Sequence, residues 1–230
     1  MNTLRKVASA IKEISRSATL EIALDNSDFG KKLFQSFTSR HPKYLIIRKK
    51  TTGVAIVKLQ DFDDQAGYTK SVNGKNSAAY FSRKAVKSGY TFKGIDPNEL
   101  GDEIFSINNS ALSRQGKEMD DSYKNKFGRY PVNQHNSYFG IFSEKELVAY
   151  LWVINTGELA IVNRILGHAE HLEAGIMYLM VTSYISTLFT RGGETKYVMY
   201  DTFFGATDGL KLFKKRCGFH PYKINWKISK

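Results

Sequence analysis

The sequence predicts a mixed α/β fold of the α+β kind, in which helices flank a mostly antiparallel central sheet. The first observation behind this prediction is the regular succession of short apolar segments and turns from Tyr138 onward. The second is the composition, since 42% of the 230 residues are hydrophobic and 24% are charged. This balance is typical of a folded chain rather than of a disordered one, so we expect a sizeable hydrophobic core.

Residues 138–228 contain the clearest order of predicted elements. Three strands come first and form an antiparallel meander, because short turns join them. A long helix follows, with Met177, Met180 and Leu188 on one face and two glycines after its end. The predicted elements are strands 138–142, 147–154 and 159–166, helix 173–190, strand 197–200, helix 208–216 and strand 222–228.

The chain is expected to divide into an N-terminal region, 1–76, and a larger domain, 77–230, packed on the same core. Leu4, Val7 and Ile11 recur at helical spacing and indicate an amphipathic helix at the start of the chain. Further along the N-terminal region, the sequence predicts a β-hairpin from strands 44–48 and 54–59, followed by a polar loop over 61–76.

The middle of the chain predicts two helices and a long loop. A basic helix over 78–88 is expected to end at Gly89. Asp96 and Pro97 are expected to open the next helix, which runs to residue 108. Residues 109–131 are polar and predict a loop, and loops of this length in compact domains are usually functional or mobile.

The charge is strongly positive and unevenly distributed. The formal net charge is +12, and the span from Arg40 to Lys93 contains twelve Lys and Arg residues against three Asp residues. Such an excess attracts phosphate-rich partners, including tRNA and the phosphates of a cofactor. A solvated basic face without a partner is the other interpretation.

The cysteine and hydropathy patterns indicate a cytoplasmic protein without a membrane span. Cys217 is the only cysteine, which excludes an internal disulfide framework and fits a reducing compartment. No apolar run approaches the roughly 20 residues that a transmembrane helix needs. The first eight residues lack the apolar stretch of a secretory signal. The oligomeric state is not predicted.

The stretch over residues 209–222 carries a family resemblance. It reads Gly-Leu-Lys-Leu-Phe-Lys-Lys-Arg-Cys-Gly-Phe-His-Pro-Tyr. It resembles the closing segment of the GNAT (N-acetyltransferase-like) superfamily, in which a helix with a Leu-Tyr or Leu-Phe pair runs into Gly-Phe and a final strand. The resemblance implies an acyltransferase whose splayed strands leave a slot for the pantetheine arm of an acyl-CoA or acetyl-CoA donor.

A second resemblance lies upstream, in Arg83-Lys84-Ala85-Val86-Lys87-Ser88-Gly89-Tyr90. This stretch looks like the basic helix of the Fem-type transferases, a GNAT-related branch that moves aminoacyl groups from tRNA. Residues 107–110 and 113–116 are similar to stretches in bacterial relatives of that branch. The resemblance implies aminoacyl-tRNA as an alternative donor.

The segment before the long helix departs from the usual GNAT pattern. Typical members hold the CoA pyrophosphate with backbone N–H groups of a Gln/Arg-x-x-Gly-x-Gly/Ala loop. Residues 166–175 contain two glutamates and no Gly-x-Gly, so they suit a pyrophosphate poorly. By position in the resemblance, the candidate donor-binding residues are Leu166, Gly167, Gly175, Lys211 and Lys214.

Acyl transfer to an amine needs a base for the amine and donors for the carbonyl oxygen. By the resemblance, Glu158 before the central strand and Asp201 after the next strand stand where a carboxylate base is placed. Glu158 can equally be a solvent-facing turn residue. His168 is a third candidate, as a base or as a contact to the donor.

His168 and His171 also form a His-x-x-His pair flanked by Glu170 and Glu173. A zinc site needs a third ligand at a supporting spacing, and none is evident in the sequence. Carboxylates near a helix start are expected to interact with the helix dipole. The sequence therefore predicts no metal.

Candidate substrate-binding residues lie on the polar loop, where binding residues concentrate. They are Asn109, Ser110, Arg114 and Gln115. Arg114 can clamp a carboxylate or phosphate of either substrate. The alternative is a turn rich in capping residues.

Two classes of function follow from these observations. The first is an acyltransferase that moves an acyl or aminoacyl group from an activated donor, an acyl-CoA or other thioester or an aminoacyl-tRNA, to a small-molecule or peptide amine. The second is a GNAT-like chain without catalysis that binds nucleic acid through its basic half.

Overall fold

A sheet of eight strands organises the computed structural model, which describes residues 17–40, 48–114 and 117–230. The described elements in chain order are β1 (Thr19–Leu24), α1 (Asp28–Thr38), β2 (Val54–Lys58), α2 (Gln65–Ser71), α3 (Ala78–Lys87), β3 (Tyr90–Gly94), α4 (Gly101–Asn109), β4 (Ser113–Arg114), β5 (Lys117–Glu118), α5 (Asp121–Lys124), β6 (Asn136–Ser143), β7 (Glu146–Thr156), β8 (Leu159–Gly167), α6 (Ile176–Arg191), β9 (Tyr197–Thr202), α7 (Asp208–Arg216) and β10 (His220–Ile228).

The strand order of the sheet is β1-β10-β2-β9-β8-β7-β6-β3. Only two neighbouring pairs are parallel, β1 with β10 and β8 with β9. The other five pairs are antiparallel. The predicted fold class, a mostly antiparallel mixed sheet flanked by helices, is therefore confirmed.

Successive residues of the central strands pack into different clusters on the two faces of the sheet, as the period of two in a β-strand requires. In β9, Val198 belongs to the cluster beneath α6, whereas Tyr197 and Met199 belong to the cluster beneath α1. The second cluster also contains Phe37 of α1, whose ring centroid lies 4.9 Å from that of Trp226. Apolar residues on both faces thus bury the first half of this strand, Tyr197 to Met199.

The meander of β6, β7 and β8 and the four elements after it confirm the predicted order. At most of their ends the strands extend one to two residues beyond the predicted segments. The long helix begins later, at Ile176, because residues Ala169–Ala174 form a 3-10 turn. Gly175 then adopts a φ of 88°, which glycine tolerates best, and redirects the chain into α6.

Helix α2 occupies residues for which the polar composition predicted a loop. The Asp64 carboxylate accepts the N–H of Gly67 at 2.7 Å and caps the helix. Tyr68 is fully buried and donates its hydroxyl to the carbonyl of Cys217 at 3.0 Å. One buried aromatic side chain therefore anchors an otherwise polar helix, and such an anchor leaves little periodicity in the sequence.

Helix α4 begins at Gly101 rather than at Asp96. The Asp96 carboxylate accepts the N–H of Asn98 at 2.9 Å and forms a local turn. Asn98 also binds the backbone of Tyr130, from which its side-chain oxygen accepts the N–H at 2.8 Å. These contacts hold residues 96–100 outside the helix. The long polar loop that follows contains the short hairpin β4–β5 and the single turn α5.

Strand β2 pairs differently from the predicted hairpin. A strand has two edges, and those of β2 are occupied by β10 and β9. Residues 44–47 of the expected partner lie outside the described residues, as does the predicted helix containing Leu4 and Ile11. The division of the chain at residue 76 stays a prediction. Among the described helices, none is long and apolar enough to cross a bilayer.

Candidate functional site

A cleft opens where β8 and β9 diverge. The two strands pair only from Leu159 to Ile161 and from Tyr197 to Met199. Beyond these residues β8 continues beside β7, while β9 continues beside β2, so each strand is held to a different neighbour. The gap between their carboxyl ends contains a cavity of about 590 Å³.

Apolar side chains form most of the cavity wall, and a few polar groups interrupt them. The lining residues are Ala111, Ser113, Arg114, Ile165, Leu166, Gly167, Leu172, Met177, Tyr200, Thr207, Gly209, Leu210 and Phe213. A largely apolar cavity with a small number of polar groups is the usual form of a ligand site. Of the sequence-predicted residues, Leu166, Gly167 and Arg114 lie in this wall.

Helix α7 forms one side of the cavity with the side chains of one helix face. Thr207 caps the helix by accepting the N–H of Leu210 at 3.3 Å. Leu210 and Phe213, three residues apart on one helix face, line the cavity. Leu212 lies on another face and is 49% exposed. The helix thus offers two otherwise similar leucines, one inside the cleft and one outside.

Arg114 connects the polar loop to the end of β8. Its guanidinium donates to the carbonyl of Gly167 at 2.8 Å, to the carbonyl of Ile107 at 2.9 Å and to the hydroxyl of Ser110 at 2.9 Å. Burial lowers the pKa of Arg114 from its ordinary value. Its buried Nε has no hydrogen-bond partner among the described residues. Arg114 is therefore a partly buried cation in the cavity wall that retains one unpaired donor.

Ser110 also connects the polar loop to the segment after β8. The other two candidate substrate-binding residues of the loop make no such connection among the described contacts. The Ser110 hydroxyl accepts the N–H of Ala169 at 3.0 Å and so binds the turn before α6. Asn109 donates its side-chain amide back to the carbonyl of Phe105 within its own helix, at 2.9 Å. Gln115 lies outside the described residues.

Asp201 lies on the surface and not in the cavity wall. Its carboxylate forms an ion pair with Lys50 and is 58% exposed. Tyr200, the preceding residue, lines the cavity instead. Burial raises the pKa of Tyr200 above its ordinary value, so its hydroxyl remains protonated and can donate a hydrogen bond.

Glu158 lies at the opposite end of β8 from the cavity, a separation of roughly 20 Å along the strand at about 3.3 Å per residue. Its carboxylate pairs with Lys196 and accepts the N–H of Ala23 at 3.3 Å. Burial acts to raise the pKa of Glu158, but these two hydrogen bonds outweigh burial and lower it overall. The residue joins β1 to the turn before β8.

Neither lysine of the predicted donor site lines the cavity. Lys214 is only 1% exposed and donates to the carbonyl of Thr202 at 2.9 Å. Its ammonium also lies 4.6 Å from the ring centroid of Tyr200. Lys211 pairs with Asp208 at 3.9 Å within the first turns of α7.

His168 follows Gly167 directly and begins the 3-10 turn beside the cleft. Its ring lies 5.7 Å from that of His171, measured between centroids. The Glu170 carboxylate lies close to the pair, and potential ligand atoms of the three side chains are all within 4.8 Å of one another. The sequence indicated the pair and its flanking glutamates, and the 3-10 turn, which aligns positions i and i+3, places the two rings on one side.

Gly175 is expected to be sensitive to any side chain, because it combines backbone strain with close packing. A Cβ atom at this position would lie 2.8 Å from the carbonyl oxygen of Phe81, and φ is +88°. Gly89 has a similar φ of +86° with no atom within 4 Å of its Cβ position. We expect Gly89→Ala to cost about 1 kcal/mol in stability and Gly175→Ala about 3 kcal/mol.

Urea unfolding of both variants measures this difference. Equal losses at the two positions would show that contact with Phe81 contributes nothing, and that only the backbone conformation matters.

Comparison with solved structures identifies the class of fold. The C-terminal domain of a proposed lysylphosphatidylglycerol synthetase from Agrobacterium fabrum is 14% identical, with a TM-score of 0.52 over 73% of this chain and 57% of that chain. FemX is 12% identical, with a TM-score of 0.57 over 74% of this chain and 59% of that chain. These are GNAT-fold proteins, and this chain has the GNAT fold.

The chain spans less than two thirds of the length of either solved structure. No protein-family model matches the sequence. No curated protein sequence matches it either.

Proposed function

We propose that this chain is an acyltransferase that moves an acyl or aminoacyl group from an activated donor to an amine. The observation that carries the proposal is the apolar cavity between the diverging ends of β8 and β9, with Arg114 in its wall. The acyl part of the donor suits a largely apolar cavity, whereas a charged acceptor suits it poorly.

The edge of β8 that β9 leaves uncovered supports the binding of an extended donor arm. Backbone pairing between the two strands ends at Ile161 and Met199, whereas β8 continues to Gly167. An extended chain with amide groups can add to such an edge as a further strand. The pantetheine arm of a thioester donor has this character, and the apolar wall accommodates the acyl group.

Arg114 is the group proposed to stabilise the negative charge that develops on the carbonyl oxygen. Attack by the amine nitrogen forms the new C–N bond and moves an electron pair of the carbonyl group onto its oxygen. When this pair forms the C=O bond again, the bond to the thiol or hydroxyl leaving group breaks. A fixed cation in a water-poor site stabilises such an oxyanion. The guanidinium is already oriented by its three hydrogen bonds to Gly167, Ile107 and Ser110.

The described residues that line the cavity include no carboxylate and no histidine. Asp201 and Glu158 are engaged in ion pairs away from it. We therefore propose that the amine reacts in its neutral form and that its proton passes to the leaving group directly or through water.

An aminoacyl-tRNA donor is the second candidate, and the charges around the start of α6 favour it over a donor with a pyrophosphate. Glu170 and Glu173 are exposed at this start, where an anion is otherwise stabilised by the helix dipole. The neighbouring helix α3 has three exposed basic residues, Arg83, Lys84 and Lys87. Lys84 donates to the carbonyl of Glu173 at 3.2 Å, so Arg83 and Lys87 are the residues of α3 proposed to contact a nucleic acid backbone.

A transfer assay with labelled donors tests the proposal. Acetyl-CoA, longer acyl-CoA species and aminoacyl-tRNA are each incubated with the full chain and a panel of small and peptide amines. Label on an amine supports the proposal and identifies the donor. Salt-sensitive tRNA binding without any transfer would instead indicate a nucleic-acid-binding protein. Absence of transfer from every donor overturns the proposal.

A further inference from the structure

The turn before α6 brings two imidazoles and a carboxylate together on one side. His168 precedes the 3-10 turn Ala169–Ala174, and His171 stands three residues later, one full 3-10 turn away. The N–H of His168 donates to the carbonyl of Val148 at 2.7 Å, and the N–H of His171 donates to the carbonyl of His168 at 3.1 Å. The backbone of both histidines is therefore anchored to β7 and to the turn.

The Nδ1 atoms of the two rings differ in their hydrogen bonding. The Nδ1 atom of His171 lies 2.7 Å from the hydroxyl oxygen of Tyr90, so its Nε2 is the nitrogen available to a metal. A hydrogen bond at the second ring nitrogen is the usual way in which proteins orient a metal-binding histidine. The Nδ1 atom of His168 is buried and has no hydrogen-bond partner among the described residues, although a buried imidazole nitrogen is normally paired.

Glu170 completes a set of three. One potential ligand atom from each side chain lies within 4.8 Å of the other two. Tetrahedral coordination at about 2.0–2.1 Å places ligand atoms roughly 3.3 Å apart, so closure requires movements of about 1 Å. Glu170 is exposed, and its flexible side chain can supply most of that movement.

We propose that His168, Glu170 and His171 form a binding site for a divalent transition-metal ion, with Zn²⁺ as the preferred ion. Two imidazoles and one carboxylate are a ligand set that zinc accepts, and a water molecule completes four-coordination. The site is independent of the proposed transferase activity. It would fix the turn whose Leu172 forms part of the cavity wall.

Metal titration of the tag-free full chain tests the proposal. Zn²⁺ binding is measured by calorimetry, and Co²⁺ binding by the visible bands of a tetrahedral complex. We expect one ion per chain and an unfolding temperature that rises with Zn²⁺. Absence of saturable binding overturns the proposal.

Variants then locate the ion. Glu170→Gln and His171→Ala are expected to weaken Zn²⁺ binding at least 100-fold. Tyr90→Phe keeps all three ligands and removes only the hydrogen bond to His171, so a loss of about 10- to 100-fold is expected. His220→Ala is the matched control, since His220 is exposed on β10, and it should bind as the wild type does.

Folding defects do not obscure this test. Glu170→Gln changes an exposed side chain, so it reports on the site even if His171→Ala fails to fold. Wild-type affinity in Glu170→Gln and Tyr90→Phe, or an equal loss in His220→Ala, would show that zinc binds elsewhere and overturn the proposal.

Discussion

Replacement of Leu210 by tryptophan is expected to fill part of the cleft and weaken donor binding close to 100-fold while the chain remains folded. Leu210 lines the cavity from α7 without being part of the buried core, so the larger ring can occupy the space that the donor needs. Loss of about 100 Å² of apolar contact at about 25 cal/mol/Å² corresponds to about 2.5 kcal/mol, or close to 100-fold in donor affinity.

Leu212→Trp is the matched control for this prediction. The same side chain is introduced two residues away, at a position that is 49% exposed and outside the cavity wall. Donor affinity is measured by titration, and the fold by circular dichroism. Full donor binding in Leu210→Trp, or an equal loss in Leu212→Trp, would mean that the donor does not enter the space beside α7.

The second large effect concerns Lys214 and the pH dependence of stability. Burial is the main cause that lowers the pKa of Lys214 from 10.5 to about 8. Between these two values the unfolded chain binds a proton that the folded chain does not, so stability rises with pH. The shift corresponds to about 3 kcal/mol. Below about pH 8 the wild type contains a buried charge, which costs stability.

Urea unfolding of the wild type and of Lys214→Met across this pH range measures the effect. Relative to the variant, the wild type should gain about 3 kcal/mol between about pH 7.5 and pH 10.5. Lys215→Met is the control, because Lys215 is exposed on the same helix, and it should follow the wild type. A constant difference between wild type and Lys214→Met would show that Lys214 titrates normally.

The C-terminal elements could be predicted because their patterns are local. The meander is formed by apolar segments separated by short turns, and α7 has its predicted bounds of 208–216. Strand β1 was not predicted, since it pairs in parallel with β10, some 200 residues later in the chain. Strand β1 therefore lacks the adjacent turn and partner strand that mark a hairpin in the sequence.

The position of the cleft could be predicted more closely than the residues that line it. Diverging strands were expected from the resemblance to GNAT proteins. Asp201 ends an apolar strand, yet it has the same parity as Tyr197 and Met199, which pack toward α1. Period-two alternation alone would have pointed to Tyr200, which lines the cavity.

Ion pairs and turn geometry explain the other differences between the sequence-based predictions and the structure. The partner of Glu158 is Lys196, 38 residues later, so the sequence did not show that this carboxylate was engaged. The third member of the histidine cluster, Glu170, lies just before the predicted start of the long helix at residue 173, where carboxylates commonly interact with the helix dipole. The 3-10 turn at residues Ala169–Ala174 brings its carboxylate close to the two imidazoles.

Amide hydrogen exchange with the donor identified by the transfer assay tests the central claim most directly. If the acyl arm lies in the cleft, the donor should slow exchange of backbone amides in residues 162–167 of β8 and at the start of α6. Exchange in β1 and β10, at the far side of the sheet, should be unchanged. Protection confined to other surfaces, with residues 162–167 unaffected, would contradict the assignment of the cleft as the donor site.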